Sequence, residues 1–250
     1  LNNMEITPAI IILIIAVFSV VQSLFGVGLL VFGTPTFLLL GASYAESVGY
    51  LLPSSLLLSS IQAHGFRDKI RIARGVVLYA MPFVFFGLLL SIDVVQHSFI
   101  LAIVGATMLL LSLMRIIGVE KISKEIIKFD RSFLVITGFI HGISNQGGAL
   151  LTVLMGSIYS DKEKVRTNIA FAYLLFGLSQ LVVLLWLKVD VISWMSIVYG
   201  LVTVLLYQLV GKSLFQSINM NTFDLIFTGF MIIYGILLLT PVTLNYMEIL

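Results

Sequence analysis

Ser144-Asn145-Gln146-Gly147-Gly148 interrupts an otherwise apolar run, residues 132–159, and Phe25-Gly26-Val27-Gly28 interrupts another, residues 7–41. Each run opens one half of the 250-residue chain. Glycine and small polar residues in the middle of an apolar run break the helix, leaving backbone N–H and C=O groups without helical partners. At membrane depth such backbone survives only where it is buried in protein or lines a cavity. Paired broken segments at matching positions of two halves point to the solute site of a transporter.

Composition supplies the membrane. Sixty per cent of the residues are hydrophobic, 10% are charged and the mean hydropathy is +1.13, whereas soluble domains carry about a quarter charged residues. The formal charge of +2 says little about partners. The chain has no cysteine, which excludes disulfides, thiolate metal sites and cysteine nucleophiles. The first apolar run lacks a basic flank and a small-residue cleavage site, so it reads as mature structure and not as a signal peptide. Beyond the broken segments, apolar runs approaching the roughly 20 residues that cross a bilayer occur at residues 47–62, 75–92, 98–117, 167–187, 192–210 and 223–240.

Loop charges orient these runs. Arg67, Lys69, Arg71 and Arg74 form one cluster; Arg115, Lys121, Lys124, Lys128 and Arg131 form a second; Lys162, Lys164 and Arg166 form a third. The positive-inside rule assigns all three to the cytoplasm. Residues 132–159 then enter and leave the membrane by one face, as a re-entrant hairpin. Helix 47–62 ends at a cytoplasmic loop, so its start near Glu46 is exterior, as is an N-terminus carrying Glu5 and no cation. On this reading, of the 14 Lys and Arg residues only Lys188 is not cytoplasmic.

The expected fold is an all-α polytopic membrane protein: one integral membrane domain, built as an inverted repeat. Each half is a broken re-entrant helical hairpin plus three transmembrane helices, and three being odd, the halves enter the membrane with opposite sense. Repeat one covers about residues 7–117, a cytoplasmic linker 118–131, and repeat two 132–243. The competing architecture, eight full crossings with parallel halves, would put one basic cluster outside.

A half-helix beginning in mid-membrane presents unpaired N–H groups and the positive end of its dipole, an anion site needing no lysine or arginine. The candidate site gathers Gly147 and Gly148, which let backbone approach a ligand, with Ser144, Asn145 and Gln146 as added donors. Gly26 and Gly28 take the backbone role in the first half, where Thr34-Pro35 is a secondary helix-start signal. Ser54, Ser55, Asn168, Tyr173 and Gln180 bring polar groups to the same depth. Such residues also serve simply to join helices. His141, one turn before the second break, either meets substrate, relays a proton or is a neutral imidazole bonded between helices. His64 and His97 fall at segment ends. Glu46 and Asp93 lie at outer boundaries and Asp224 near an inner one, so no buried carboxylate for proton coupling stands out.

The order of glycine break, apolar arm, helices, basic linker and second break resembles the sulfite exporter TauE/SafE family. That family repeats a pattern resembling Gly-x-Gly-Gly-Gly followed by proline, once per half. Gly26-Val27-Gly28 with Pro35 matches the first copy, although Leu29 and Leu30 replace the later glycines. Asn145-Gln146-Gly147-Gly148 matches the second, with Asn145 at a usual glycine and no later proline. The resemblance implies a secondary transporter of sulfite, a sulfonate or another organosulfur anion in a prokaryotic inner membrane; the charge split places both termini outside. Its partners are the anion and the lipid bilayer; no nucleic acid and no cofactor is implied, and a homo-oligomer is left open. The alternative function is a channel for a small neutral or anionic solute. An aquaporin-like channel would show Asn-Pro-Ala at each break, which is absent. An intramembrane enzyme would need a Gly-x-Ser-x-Gly, His-Glu-x-x-His or paired-aspartate set, also absent, so the chain reads as no enzyme.

Overall fold

The computed structural model describes residues 6–64, 73–93, 96–117, 130–189 and 193–247. Glu5, Arg67, Lys69, Arg71, Lys121, Lys124 and Lys128, on which part of the sidedness reading rests, lie outside the described residues. Every regular element among those described is helical: α1 (Pro8–Phe25), α2 (Leu29–Leu39), α3 (Tyr44–Gln62), α4 (Ala73–Ile92), α5 (His97–Ile117), α6 (Asp130–Ser144), α7 (Gly147–Ile158), α8 (Lys162–Trp186), α9 (Trp194–Ser217) and α10 (Met220–Met247).

Local chemistry sets several of these bounds. Thr7 Oγ1 accepts the Ile10 N–H and Pro8 fills the first helical position of α1, where its missing N–H costs nothing. Ser43 and Glu46 form a reciprocal capping box that starts α3, and Asp161 accepts the Lys164 N–H to start α8. Both satisfy amides that a helix leaves unbonded at its first turn.

Among the described residues, six helices are long and apolar enough to cross a membrane: α1, α4, α5, α8, α9 and the Asn221–Thr240 part of α10. The sequence reading counts residues 47–62 among six crossings and treats α1 as a hairpin arm; the members of the set therefore differ. The helix at 47–62 exists, as the 19-residue α3, but Glu46, Pro53 and the serines at 54, 55, 59 and 60 keep it out of the strongly apolar set. It can be polar because it is a core helix: Val48, Leu51, Leu52, Ser54 and Leu58 are fully buried. The run at 192–210 also extends further than its apolar stretch, since α9 continues through a π-helical turn, Tyr207–Gly211, to Ser217. Outward-facing apolar side chains cover the bundle, with Trp194, Leu209 and Leu225 about three-quarters exposed (74%, 74% and 75%). A hydrocarbon solvent accommodates such a surface; water does not.

Helix contacts recur in pairs. α1 packs on α9 as α6 packs on α4; α3 packs on α9 as α8 packs on α4; α2 meets α3 as α7 meets α8. α3 and α8 pack against each other, and so do α5 and α10. Small residues make these seams close, as membrane helices require in the absence of a hydrophobic drive between them. Gly142 sits where a Cβ would lie 2.5 Å from the Val84 carbonyl, and Gly105 and Gly235 face each other across α5 and α10. The α3–α8 pair stands beside both interrupted segments and supplies side chains to each.

Candidate functional site

At the first break, Gly26 adopts φ 75° and returns its N–H to Gln22 O at 2.8 Å, ending α1. The chain then doubles back. The Leu29 N–H donates to Gln22 Oε1 at 3.2 Å, and the rings of Phe18 and Phe32 stack 6.2 Å apart, so α2 returns along α1. A Cβ at Gly28 would lie 2.6 Å from the Gln22 nitrogen, an approach only glycine permits. The half-helix end that the sequence offers to an anion is thus capped by the protein itself. Gln22 is held in turn, donating from Nε2 to Ser59 Oγ (3.1 Å) and Ser55 O (3.3 Å), while Ser55 Oγ donates to its Oε1 at 3.5 Å. Gln62 donates to Gln22 O and Ser23 O at 3.0 and 3.2 Å.

The second break is built differently. Asn145 takes φ 60°, a left-handed conformation that asparagine tolerates better than most residues, and its N–H returns to His141 O at 2.8 Å. Its side chain bridges three helices: Nδ2 donates to Thr34 Oγ1 of α2 at 2.8 Å, and Oδ1 accepts from Gln180 Nε2 of α8 at 2.6 Å. Gln146 Nε2 donates to Val31 O at 2.9 Å, and Tyr44 Oη donates to Gly142 O at 3.0 Å. A Cβ on Gly148 would lie 2.8–2.9 Å from Tyr173, Val27 and Val31. That contact brings the two breaks together, because Val27 belongs to the first.

Several buried polar atoms here have no partner. They are both ring nitrogens of His141, Gln146 Oε1, Gln180 Oε1 and Tyr173 Oη, on side chains no more than 1% exposed. Gln180 and the Asn145 backbone interact with the His141 ring, and the Val31 backbone with Tyr173, without closing a hydrogen bond of ordinary length. The His141 ring stands edge to face with Tyr173 at 5.2 Å and tilted against Phe176 at 4.8 Å. Buried polar groups in folded proteins are nearly always bonded. A group of unbonded ones, mixing hydroxyl, amide and imidazole chemistry, is what a small polar solute would complete.

The sequence-selected residues divide between the two breaks. His141, Asn145, Gln146, Gly147, Gly148, Tyr173 and Gln180 gather at the second. Gly26, Gly28 and Ser55 belong to the first, in contacts internal to the protein. Ser144 Oγ donates to Ile140 O within its own helix, and Asn168 Nδ2 donates to Lys164 O, leaving its Oδ1 unbonded. Ser54 Oγ is buried and unbonded. Thr34-Pro35 starts no helix: α2 runs through Pro35, and Thr34 instead receives the Asn145 amide. The sequence reading places no lysine or arginine in the candidate site, and two arginines are buried elsewhere in the bundle. Arg115 is buried against Thr152, Thr228 and Asp224, and Arg166 is buried against Ser23 and Phe215. Gln22, Tyr44 and Arg166 escaped sequence reasoning. Only a glutamine or arginine inside or beside an apolar run hinted at them, and nothing local says which backbone atoms they reach.

A sequence model of sulfite exporter TauE/SafE matches residues 11–238. The chain belongs to this family. The match takes in both breaks and the basic linker between the halves. Neither curated proteins nor solved structures gave a match. Membership of the TauE/SafE family, together with the six apolar helices of crossing length among the described residues, makes the protein an integral membrane protein of a transporter family for sulfite or a related anion.

Proposed function

We propose that the protein is a secondary transporter of a small oxyanion, sulfite or an organosulfonate, held at the second break among His141, Gln146, Tyr173 and Gln180. The observation that carries this reading is the buried Tyr173 hydroxyl and His141 imidazole, donors left without a partner beside the start of α7, in a chain of the TauE/SafE family. Gln146 and Gln180 leave only acceptor oxygens open and shape the site through their bonds to Val31 and Asn145. A sulfonate has three oxygens and a permanent charge. It suits the opening amides of α7, which lack partners within their helix, and the hydroxyl and imidazole N–H groups nearby. Neutral donors would hold it with modest affinity, which a carrier needs for release. Close contact of Gly148 with Val27 and Val31 favours a gated carrier over an open channel.

The architecture that serves this function is an inverted repeat, residues 7–117 and 132–243, joined by a cytoplasmic linker and seated in a prokaryotic inner membrane with both termini outside. Reciprocal helix contacts between the halves support it, as does the return of α2 along α1. The sidedness rests on the basic loops, and cysteines introduced singly into this cysteine-free chain check it. A cysteine at Glu163 labelled from outside intact cells would refute the hairpin. The substrate is tested by purified protein in proteoliposomes offered sulfite, sulfoacetate, sulfate and an uncharged solute of similar size. Saturable movement of the sulfur anions is expected, and movement of the uncharged solute alone would refute the reading.

A further inference from the structure

Arg166, Tyr173 and Gln180 lie seven residues apart on α8, so two helical turns separate each from the next and all three fall on nearly one face. The steps are about 10 Å each, given the helical rise of 1.5 Å per residue. All three side chains are buried, and each carries an atom without a partner: Arg166 Nε, Tyr173 Oη and Gln180 Oε1. Both breaks rest against this face. Gly26 of the first lies against Arg166, Gly148 of the second against Tyr173, and Asn145 bonds Gln180.

The cation on this face is under-neutralised. Arg166 is 9% exposed; its Nη1 donates to Ser23 O at 3.2 Å, and its guanidinium lies 3.5 Å over the Phe215 ring. The other buried arginine, Arg115, has the Asp224 carboxylate and two threonine hydroxyls. Among the described residues Arg166 has no ion pair within contact distance; Glu163, exposed one turn earlier, and Tyr207 act on it only through longer-range attraction. Lys162 adds a second positive charge close by, its Nζ held by the carbonyls of Phe215, Gln216 and Ile218. A buried guanidinium is normally matched by an anion, because desolvating an uncompensated charge is costly. Ser23, whose carbonyl holds Arg166, also lies against Gly211 in the π-helical turn of α9, and such turns are frequent at functional sites.

We propose that Arg166 forms a second oxyanion site at the end of α8 nearer the first break, and that the Arg166–Tyr173–Gln180 face is the track joining it to the second break. This rests on the anion reading of the second break and adds a charged docking point to it. The guanidinium takes two oxygens of the sulfite or sulfonate side by side, replacing water as the anion leaves the aqueous phase; the neutral groups further along the face then receive it.

The test is the concentration dependence of sulfite transport in proteoliposomes for wild type, Arg166→Gln and Arg166→Lys, each first checked for monodispersity and melting temperature. Arg166→Gln should raise KM at least tenfold while leaving the maximal rate within about threefold. Arg166→Lys keeps the charge but not the paired donors, so KM should rise about threefold or more. If Arg166→Gln fails to fold, Arg166→Lys decides alone. Unchanged KM in the folded variants overturns the site and makes Arg166 a cap for the α1 carbonyls. A wild-type protein that carries no sulfur oxyanion overturns the functional reading itself, a result distinguishable from the first. The series is run in phosphatidylcholine vesicles with and without phosphatidylglycerol. A KM effect present only with the anionic lipid would assign Arg166 to a lipid headgroup and overturn the proposal; the same ratio in both supports it.

Discussion

The two breaks of this TauE/SafE protein are alike in sequence and different in what they leave unbonded. At the first, Gln22 caps the new helix with its carbonyl and spends its amide on Ser55 and Ser59. At the second, Gln146 donates to Val31 O and Ser144 O and Gln180 to Asn145 Oδ1, and both leave their carbonyl oxygens without a donor, beside His141 and Tyr173. The first break caps its new helix and leaves only Gln62 Oε1 and the neighbouring Arg166 Nε open; the second leaves a hydroxyl, an imidazole and two amide oxygens open around its new helix. A break in a membrane helix is therefore not by itself a binding site. What distinguishes a structural break from a candidate site is whether the surrounding side chains satisfy the polar groups it exposes.

The sharpest way to break that contrast is to fill a glycine. At Gly147 a Cβ would meet the His141 Cβ and lie 2.6 Å from Thr137 O, so Gly147→Val should remove folded protein before it informs on substrate. Overfilled cores typically lose about 1–3 kcal/mol, and here backbone is among the clashing atoms. The expected outcome is a large fall in melting temperature or in monodisperse yield, seen by size exclusion. A normally stable Gly147→Val protein would mean that α6 and α7 are less tightly joined than described.

Gln22→Leu comes next. It should cost stability, because it uncaps Leu29 N–H and leaves Ser59 and Ser55 unmatched, at about 1–3 kcal/mol for an unsatisfied buried group. The surviving folded protein should keep its KM for sulfite. A changed KM with unchanged melting temperature would move the substrate to the first break.

Asn145→Ala is the intermediate case. It removes the bonds to Thr34 and Gln180, each worth about 0.5–1.5 kcal/mol net, and places alanine at φ 60°. Transport should weaken several-fold with a modest loss of melting temperature. Thr34→Val, which deletes only the acceptor of one of those bonds, should have the smallest effect. Interhelical hydrogen bonds in membranes average about 0.6 kcal/mol, which a melting curve just resolves. If Thr34→Val proves worse than Asn145→Ala, the Asn145 bridge is not the element that positions the break.

Much of this layout was legible in the sequence, for local reasons. Glycine and small polar residues end helices wherever they occur, so both interruptions fell where Gly26–Gly28 and Asn145–Gln146 stand. What was hidden depends on contacts between distant segments. Gln22 is four residues before its break and reads as one polar residue in an apolar helix; its role needs Ser55 and Ser59 of α3 to be beside it. Arg166 reads as part of a basic loop, yet α8 begins at Lys162 and carries the arginine inside. Pro35 reads as a helix start, but proline is tolerated within α2, where neighbouring groups can take up the backbone it frees. Residues 47–62 read as a crossing, yet α3 is more polar than the six strongly apolar helices, because it faces protein on so many sides.

The central claim, that the second break and not the Gln22-capped helix start of the first receives the anion beyond Arg166, is tested most directly by comparing Gln180→Leu with Gln22→Leu in one sulfite-uptake series in proteoliposomes. Gln180→Leu should raise KM by about tenfold or more in a protein that still folds, and Gln22→Leu should leave KM within about twofold of wild type. The opposite pattern, with KM raised by Gln22→Leu and unmoved by Gln180→Leu, would contradict the account.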